Sequence, residues 1–167
     1  MPRITPEAAG GLNVCAFLDA IAHSELAALL TVPGSDDGYN VLVGCTPAAP
    51  AFFASYACHP LPNPPGRKAG AVWSTAAGRY QILSRWWPQY QRSLALPDFG
   101  PLSQDRYAIQ QIREQRALDD VKAGRFEAAV AKCRNIWASL PGAGYGQHEN
   151  TLESLRAAYL LAGGTCA

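Results

Sequence analysis

The sequence predicts an α+β fold: a mainly helical lobe with a small antiparallel β-sheet, and a groove between them where chemistry would sit. Three observations carry this. Apolar residues recur at helical spacing near the N-terminus and through the second half, a β-branched alternating segment lies between, and prolines and glycines cluster beside it. The chain has 167 residues, 49% hydrophobic and 16% charged, which suits one domain over residues 1–167 and excludes a disordered chain.

After a Pro/Gly/Ala-rich lead over residues 1–12, expected to be flexible, Asn13 can cap a helix whose residues Val14, Phe17, Leu18 and Ile21 share a face. The stripe continues onto Glu25. A carboxylate there either turns to solvent as the helix frays or is held in a partly dry site with its proton retained. The helix should end before Pro33-Gly34, and Ser35-Asp36-Asp37-Gly38 is turn chemistry leading into a strand over Tyr39-Asn40-Val41-Leu42-Val43. A second extended piece, Phe52 to Tyr56, can pair with it. His59 to Arg67 holds four prolines and a glycine, so an exposed loop bordering a cleft is expected.

The second half reads as helical. Ser74 or Thr75 caps a segment in which Tyr80, Leu83, Trp87 and Tyr90 share a face, with Pro88 kinking it or ending its first part. Ser103 starts a helix through Ala108, Ile112, Leu118 and Val121 that stops at Gly124. Phe126, Val130, Cys133, Ile136, Trp137 and Leu140 form the cleanest amphipathic stripe, ended by Pro141-Gly142. Asn150 with Glu153 resembles a capping box for a last helix that closes at Gly163.

Charge and composition exclude several function classes. A net charge of +1 cannot supply the electrostatic attraction of generic nucleic-acid binding, so nucleic acid is not an expected partner. The longest apolar candidates for a membrane span, such as Val14 to Ala22, are interrupted by Asp19, and stable membrane insertion is not expected. No secretory signal is apparent, which points to synthesis in the cytoplasm. Cys15, Cys45, Cys58, Cys133 and Cys166 are odd in number and widely spread, the pattern of reduced, mostly buried thiols.

Several local patterns suggest chemistry. His23-Ser24-Glu25 matches half of a zinc-deaminase motif whose Pro-Cys-x-x-Cys half is absent, so no metal or other cofactor is expected. Cys58-His59 reads as structural, because neighbours on an extended chain point to opposite sides. The run Pro141 to Gly146 lacks the Gly-Lys-Ser/Thr ending of a nucleotide loop and reads as a tight turn that another molecule can approach closely. Ser74-Thr75-Ala76-Ala77-Gly78-Arg79-Tyr80-Gln81 places an amide beside an aromatic ring, a pairing that suits a sugar; an ordinary capped helix with Tyr80 in the core explains it equally well. Trp86, Trp87 and Trp137 sit on helical stripes and read as core.

Two long strings, Ser-Thr-Ala-Ala-Gly-Arg-Tyr-Gln-Ile-Leu-Ser-Arg-Trp-Trp (74 to 87) and Asn-Ile-Trp-Ala-Ser-Leu-Pro-Gly-Ala-Gly-Tyr-Gly-Gln (135 to 147), resemble the lambda-type phage endolysins. So do Ala16-Phe17-Leu18-Asp19, Ser24-Glu25, Gly38-Tyr39-x-Val41-x-Val43-Gly44 and Ala162-Gly163-Gly164-Thr165, and the resemblance keeps one order from about residue 15 to 165. It implies a lysozyme-like α+β fold and a peptidoglycan lytic transglycosylase that acts on glycan strands. It also implies that Glu25 is the single catalytic acid, that Ser74, Thr75, Tyr80, Gln81, Gly144, Tyr145 and Gln147 line the saccharide cleft, and that Tyr39 reaches it from the sheet. A holin would release such an enzyme from the host cytoplasm to the wall at lysis, and a one-domain enzyme on a polymer needs no partner copy, so a monomer is expected.

The chain departs from its relatives in three places, one of them the His59 to Val72 loop, which holds more proline and so bears on access to the cleft. Leu26-Ala27-Ala28 follows Glu25 where relatives usually continue with glycine, so the helix is expected to run past the acid. Tyr39-Asn40 replaces Tyr-Asp, and an amide cannot act as a base. Two alternatives remain: a hydrolytic muramidase using Asp36 or Asp37 as the second carboxylate, and a peptidoglycan-binding relative without turnover.

Overall fold

A computed structural model describes residues 1–146 and 148–167. Thr5 caps a one-turn helix, α1 (Pro6–Ala9), by accepting the Ala8 N–H. The N–H groups of Arg3 and Ile4 both donate to Oδ2 of the buried Asp105 at 2.8 Å. Two backbone groups of the lead over residues 1–12 thus bond a buried carboxylate.

Helix α2 (Leu12–Leu26) buries Val14, Phe17, Leu18 and Ile21, as the spacing predicts. Asn13 lies inside the helix and caps nothing. Its Oδ1 accepts the Thr165 N–H at 2.9 Å and its Nδ2 donates to the Lys122 carbonyl, so it ties the C-terminus down. With the 3₁₀ turn Ala27–Thr31, the stretch is long and apolar enough to cross a bilayer by length and composition, although most of it is buried among other protein segments. The α-helix does not run past Leu26: Ala27 turns left-handed, with φ 45°.

Two compact units result, Met1–Glu25 with Asp105–Ala167, and Leu26–Gln104. In the second, Leu26, Leu29, Val41 and Cys45 form a small core with Leu30, Val32, Ala51 and Phe52. The strand predicted over Tyr39–Val43 is reduced to isolated bridges, because a 3₁₀ turn at Asp36–Gly38 delivers the chain to it. A Cβ on Gly38, at φ 88°, would lie 2.5 Å from Leu26 Cδ1, so only glycine permits that turn. Val41 still bridges Phe52 as expected, and Leu42 bridges Ala77 on the other side. The regular sheet lies elsewhere: β1 (Arg67–Ala69) pairs antiparallel with β2 (Val72–Ser74) across a two-residue Gly70-Ala71 turn.

The helix predicted to start at Ser74 or Thr75 is absent. Ala77 and Ile82 exchange backbone hydrogen bonds across a tight turn, and the Thr75 hydroxyl accepts the Ser84 N–H instead of capping. Helix α3 (Trp87–Ser93) begins only afterwards, with Pro88 in its first turn, where a missing N–H costs nothing. Trp87 is buried and packs against Phe99 at 4.7 Å, whereas Trp86 is 47% exposed and is not core. His59 is buried against Phe99; it accepts the Leu61 N–H at Nδ1, which makes Nε2 the donor to the Ile82 carbonyl. The proline-rich loop is thus pinned at its first residue, and His59 has the structural role its neighbours suggested.

Helix α4 (Pro101–Glu114) carries Gln104, whose side chain is fully buried. Its Oε1 accepts the Arg79 N–H at 2.9 Å, and its Nε2 donates to the carbonyls of Tyr39 at 3.0 Å and Phe99 at 2.8 Å. Gly78 lies so close that an added Cβ would meet Gln104 Oε1 at 2.2 Å. The helix predicted to reach Gly124 is two: Arg116, at φ 55°, separates α4 from α5 (Leu118–Lys122). Helix α6 (Phe126–Cys133) stops before the predicted Leu140, though Trp137 and Leu140 remain buried in the turns beyond it. Helix α7 (Leu152–Leu161) is capped by the Thr151 hydroxyl, not by Asn150. Cys15, Cys45 and Cys133 are buried and Cys58 and Cys166 exposed, all as free thiols.

Seven helices and one two-stranded antiparallel sheet among the described residues make the predicted α+β class. Gln104→Ala orphans one buried N–H and two buried carbonyls at once, and a loss of about 3 kcal/mol or more is expected in urea unfolding.

Candidate active site around Glu25

The apolar face of α2 carries Glu25 into the last turn of the helix, beside the buried Ser24. The carboxylate accepts the Ser139 hydroxyl at Oε1, 2.6 Å away. Burial pushes the Glu25 carboxyl up from its ordinary range, and the side-chain and backbone hydrogen bonds from Ser139 pull against that shift. Glu25 is thus half-buried and bonded to Ser139, and does not turn freely out to solvent as the helix ends.

Ser139 is itself held on two sides. Its hydroxyl lies 2.7 Å from that of Ser24, and its carbonyl accepts the Asn150 N–H at 2.8 Å. Asn150 Nδ2 donates to the carbonyl of Ser24 at 3.0 Å and approaches the Ser24 hydroxyl at 3.2 Å. Between Ser139 and Asn150 runs a glycine-rich loop whose Gly142 and Gly144 N–H groups converge on the Glu149 carboxylate at 2.8 and 2.7 Å. These N–H groups, Gly144 first, hold the Glu149 carboxyl below its ordinary range.

Sequence reasoning singled out neither Ser139 nor Glu149, and it gave Asn150 to a helix cap. Ser139 lay inside a family-like string without a chemical signature of its own. Thr151, an equally good capping residue next to Asn150, was the signal that Asn150 was free for another task.

The structure distributes the predicted saccharide contacts unevenly. Tyr145 is 56% exposed, with its hydroxyl donating to the Asn135 carbonyl, and Gly144 is exposed. The position of Gln147 lies outside the described residues. Tyr39 and Tyr80 are corrected: 0% and 1% exposed, they present no ring face to a ligand. Tyr39 packs instead under the Arg79 guanidinium, 5.2 Å from its ring centre. Thr75 is buried with its hydroxyl bound to Ser84; Ser74 and Gln81 are partly exposed, bonded locally to Ala76 and Gly78. Asp36 accepts the Tyr56 hydroxyl at 2.5 Å, the Asp37 carbonyl accepts from Arg79, and Asn40 donates to the Gly34 carbonyl.

The arrangement can deliver a proton from a desolvated carboxyl group to a ligand atom and stabilise the carboxylate left behind. Comparison with known proteins bears on which ligand. Residues 15–166 match the family model described as Endolysin. The chain is 51% identical over 160 residues to the endolysin of Escherichia phage P2, covering 93% of this chain and 95% of that one. It is 46% identical over 154 residues to the endolysin of Escherichia phage lambda, with 90% of each chain covered. Among solved structures it is similar to bacteriophage lambda lysozyme complexed with a chitohexasaccharide, at a TM-score of 0.81 and 41% identity with both chains fully covered.

Two consequences follow from the charges. Because the folded protein raises the Glu25 pKa, that residue's contribution to stability is present below the ordinary carboxyl range and is lost as pH rises through the folded value. Glu25→Gln should therefore raise Tm by a few degrees at neutral pH and flatten its fall between acid and neutral pH. Glu149 has the opposite sign: its hold on the loop is present above the ordinary carboxyl range and is lost as pH falls through its depressed pKa. Glu149→Gln should speed hydrogen exchange at Gly142 and Gly144 about tenfold at neutral pH, with exchange elsewhere unchanged.

Proposed function

The chain belongs to the endolysin family and degrades peptidoglycan in host lysis, and we propose that it does so as a lytic transglycosylase with Glu25 as its one catalytic carboxylate. The observation that carries this reading is the Glu25 carboxyl itself: burial raises its hold on a proton, and the Ser139 hydroxyl bonded to it supports the carboxylate that forms when the proton leaves.

The substrate bond is the β-1,4 link between N-acetylmuramic acid and N-acetylglucosamine. Protonated Glu25 gives its proton to the bridging oxygen as the bond from the muramic anomeric carbon breaks. The muramic C6 hydroxyl then bonds to that carbon, and the Glu25 carboxylate takes its proton, which restores the acid. No water is consumed, and the product ends in 1,6-anhydro-N-acetylmuramic acid. Intramolecular attack needs no second carboxylate to activate a nucleophile. Asp36 is engaged by Tyr56 and position 40 is an amide, so nothing favours a hydrolytic partner there.

The exposed Tyr145 ring and Gly144 backbone supply saccharide contacts. The enzyme acts as a monomer and reaches the wall from the host cytoplasm through a membrane lesion opened by a holin.

Mass spectrometry of fragments released from purified Gram-negative peptidoglycan tests the reaction. Products one water lighter than reducing-end muropeptides are expected, with Glu25→Gln releasing none. Reducing-end muramic acid would overturn the transglycosylase reading in favour of hydrolysis, and an active Glu25→Gln would remove Glu25 from its role.

A further inference from the structure

We infer that Asn150 and Ser24 are positioning residues for Glu25: with Ser139 they form a one-way chain of hydrogen-bond donors ending on Oε1, which leaves Oε2 to carry the proton that is transferred. The inference rests on Glu25 being the acid and goes further by assigning which of its oxygens acts and what decides it.

The direction of the chain follows from atoms that can play only one part. The Ser24 carbonyl can only accept, so the Asn150 side-chain atom 3.0 Å from it must be the amide nitrogen. That nitrogen carries a second hydrogen, and the Ser24 hydroxyl oxygen is 3.2 Å away to receive it. At the other end an ionised carboxylate also can only accept, so Ser139 spends its single hydroxyl proton on Glu25 Oε1. In the 2.7 Å contact between the two hydroxyls, the shared proton is therefore Ser24's. Each hydroxyl accepts once and donates once, from Asn150 through Ser24 and Ser139 to Glu25, an arrangement in which each bond strengthens the next.

The same chain decides where the proton sits when Glu25 is neutral. A proton on Oε1 would point at Ser139 and force both hydroxyls to turn round. The Ser24 proton would then face the Asn150 amide hydrogens and lose its acceptor at a buried position. A proton on Oε2 leaves the relay from Asn150 through Ser24 and Ser139 to Oε1 in place; the Ser139 backbone N–H, which also supports the carboxylate, lies outside that relay. Asn150 adds a second constraint, since its backbone N–H on the Ser139 carbonyl fixes the hydroxyl that touches Glu25.

The test is the pH dependence of kcat on soluble glycan strands. Losing part of the donation to Oε1 disfavours the carboxylate, so Asn150→Ala and Ser24→Ala should each move the alkaline limb of kcat to higher pH. Each should also lower kcat about tenfold with KM held within about twofold, because the acid is misoriented and binding is not. Acting through one chain, the two changes should not add: Ser24→Ala/Asn150→Ala should match the worse single variant. An unmoved alkaline limb in folded Asn150→Ala, or additive effects in the double variant, would overturn the inference. Should Asn150→Ala fail to fold, Ser24→Ala, a helix-favouring replacement, reads the same limb with the same two outcomes. Glu25→Gln run alongside separates the two levels: if it is inactive while the limb stays put, only the donor chain fails, and if it is active, the acid assignment fails.

Discussion

The hydrogen bond from Ser139 to Glu25 is the constraint around which the first unit is built. A carboxyl group at the end of an apolar helix loses part of its water, and that desolvation penalises the charged form. One short bond to the charged form offsets part of that penalty. Placing the bond requires Ser139 to come from a turn. Helix α6 breaks at Cys133 although its amphipathic pattern continues to Leu140, and Trp137 and Leu140 keep the turns packed once the helical hydrogen bonds are gone. Asn150 then closes the far end of the segment onto Ser139, and Glu149 holds the loop between them.

The second unit meets a comparable problem with little regular structure. β1 and β2 are three residues each, so most of its buried backbone groups have no ladder to satisfy them. Side chains replace the ladder. Gln104 serves three backbone groups, His59 serves two, Thr75 holds the turn to Ser84, and Arg67 and Arg79 donate to the carbonyls of Val43 and Asp37. Removing one such side chain orphans several groups at once, which makes Gln104 more consequential than its single amide suggests.

This difference explains what could be read from the residues alone. Helix α2 and its delivery of Glu25 were legible because a run of apolar residues at helical spacing has one low-energy outcome. The start of α7 was legible to within a residue, though Thr151 outcompeted Asn150 for the cap. The Ser74–Gln81 segment was not, because its helix-compatible residues are overridden by a tight turn at Gly78 and Gln81 and by the buried amide of Gln104, which lies far along the chain. On local ground Tyr80 fits a sugar contact and a core ring equally, the family resemblance alone places Tyr39 in the cleft, and tertiary packing buries both. The partners of Glu25 were invisible for the complementary reason. Ser139 and Asn150 lie 114 and 125 positions beyond it in numbering, and serine and asparagine announce a role only when a fold brings their hydrogens to a common acceptor.

A single carboxylate that must act as acid and then as base needs a proton affinity between two extremes. Too low, and it is ionised before the substrate arrives; too high, and the carboxylate left after the first step is too unstable to form. Burial and the Ser139 bond push Glu25 in opposite directions, and burial is the stronger of the two. A two-carboxylate enzyme can divide the tasks between groups tuned separately. On the proposed reading the tuning is internal to Glu25, with Oε1 given to the Ser139 hydroxyl and Oε2 to the proton that moves. The departure of Leu26-Ala27-Ala28 from its relatives does not disturb this division, because the α-helix still ends one residue after Glu25 and the donors reach the carboxylate from Ser139, not from the residues that follow the acid.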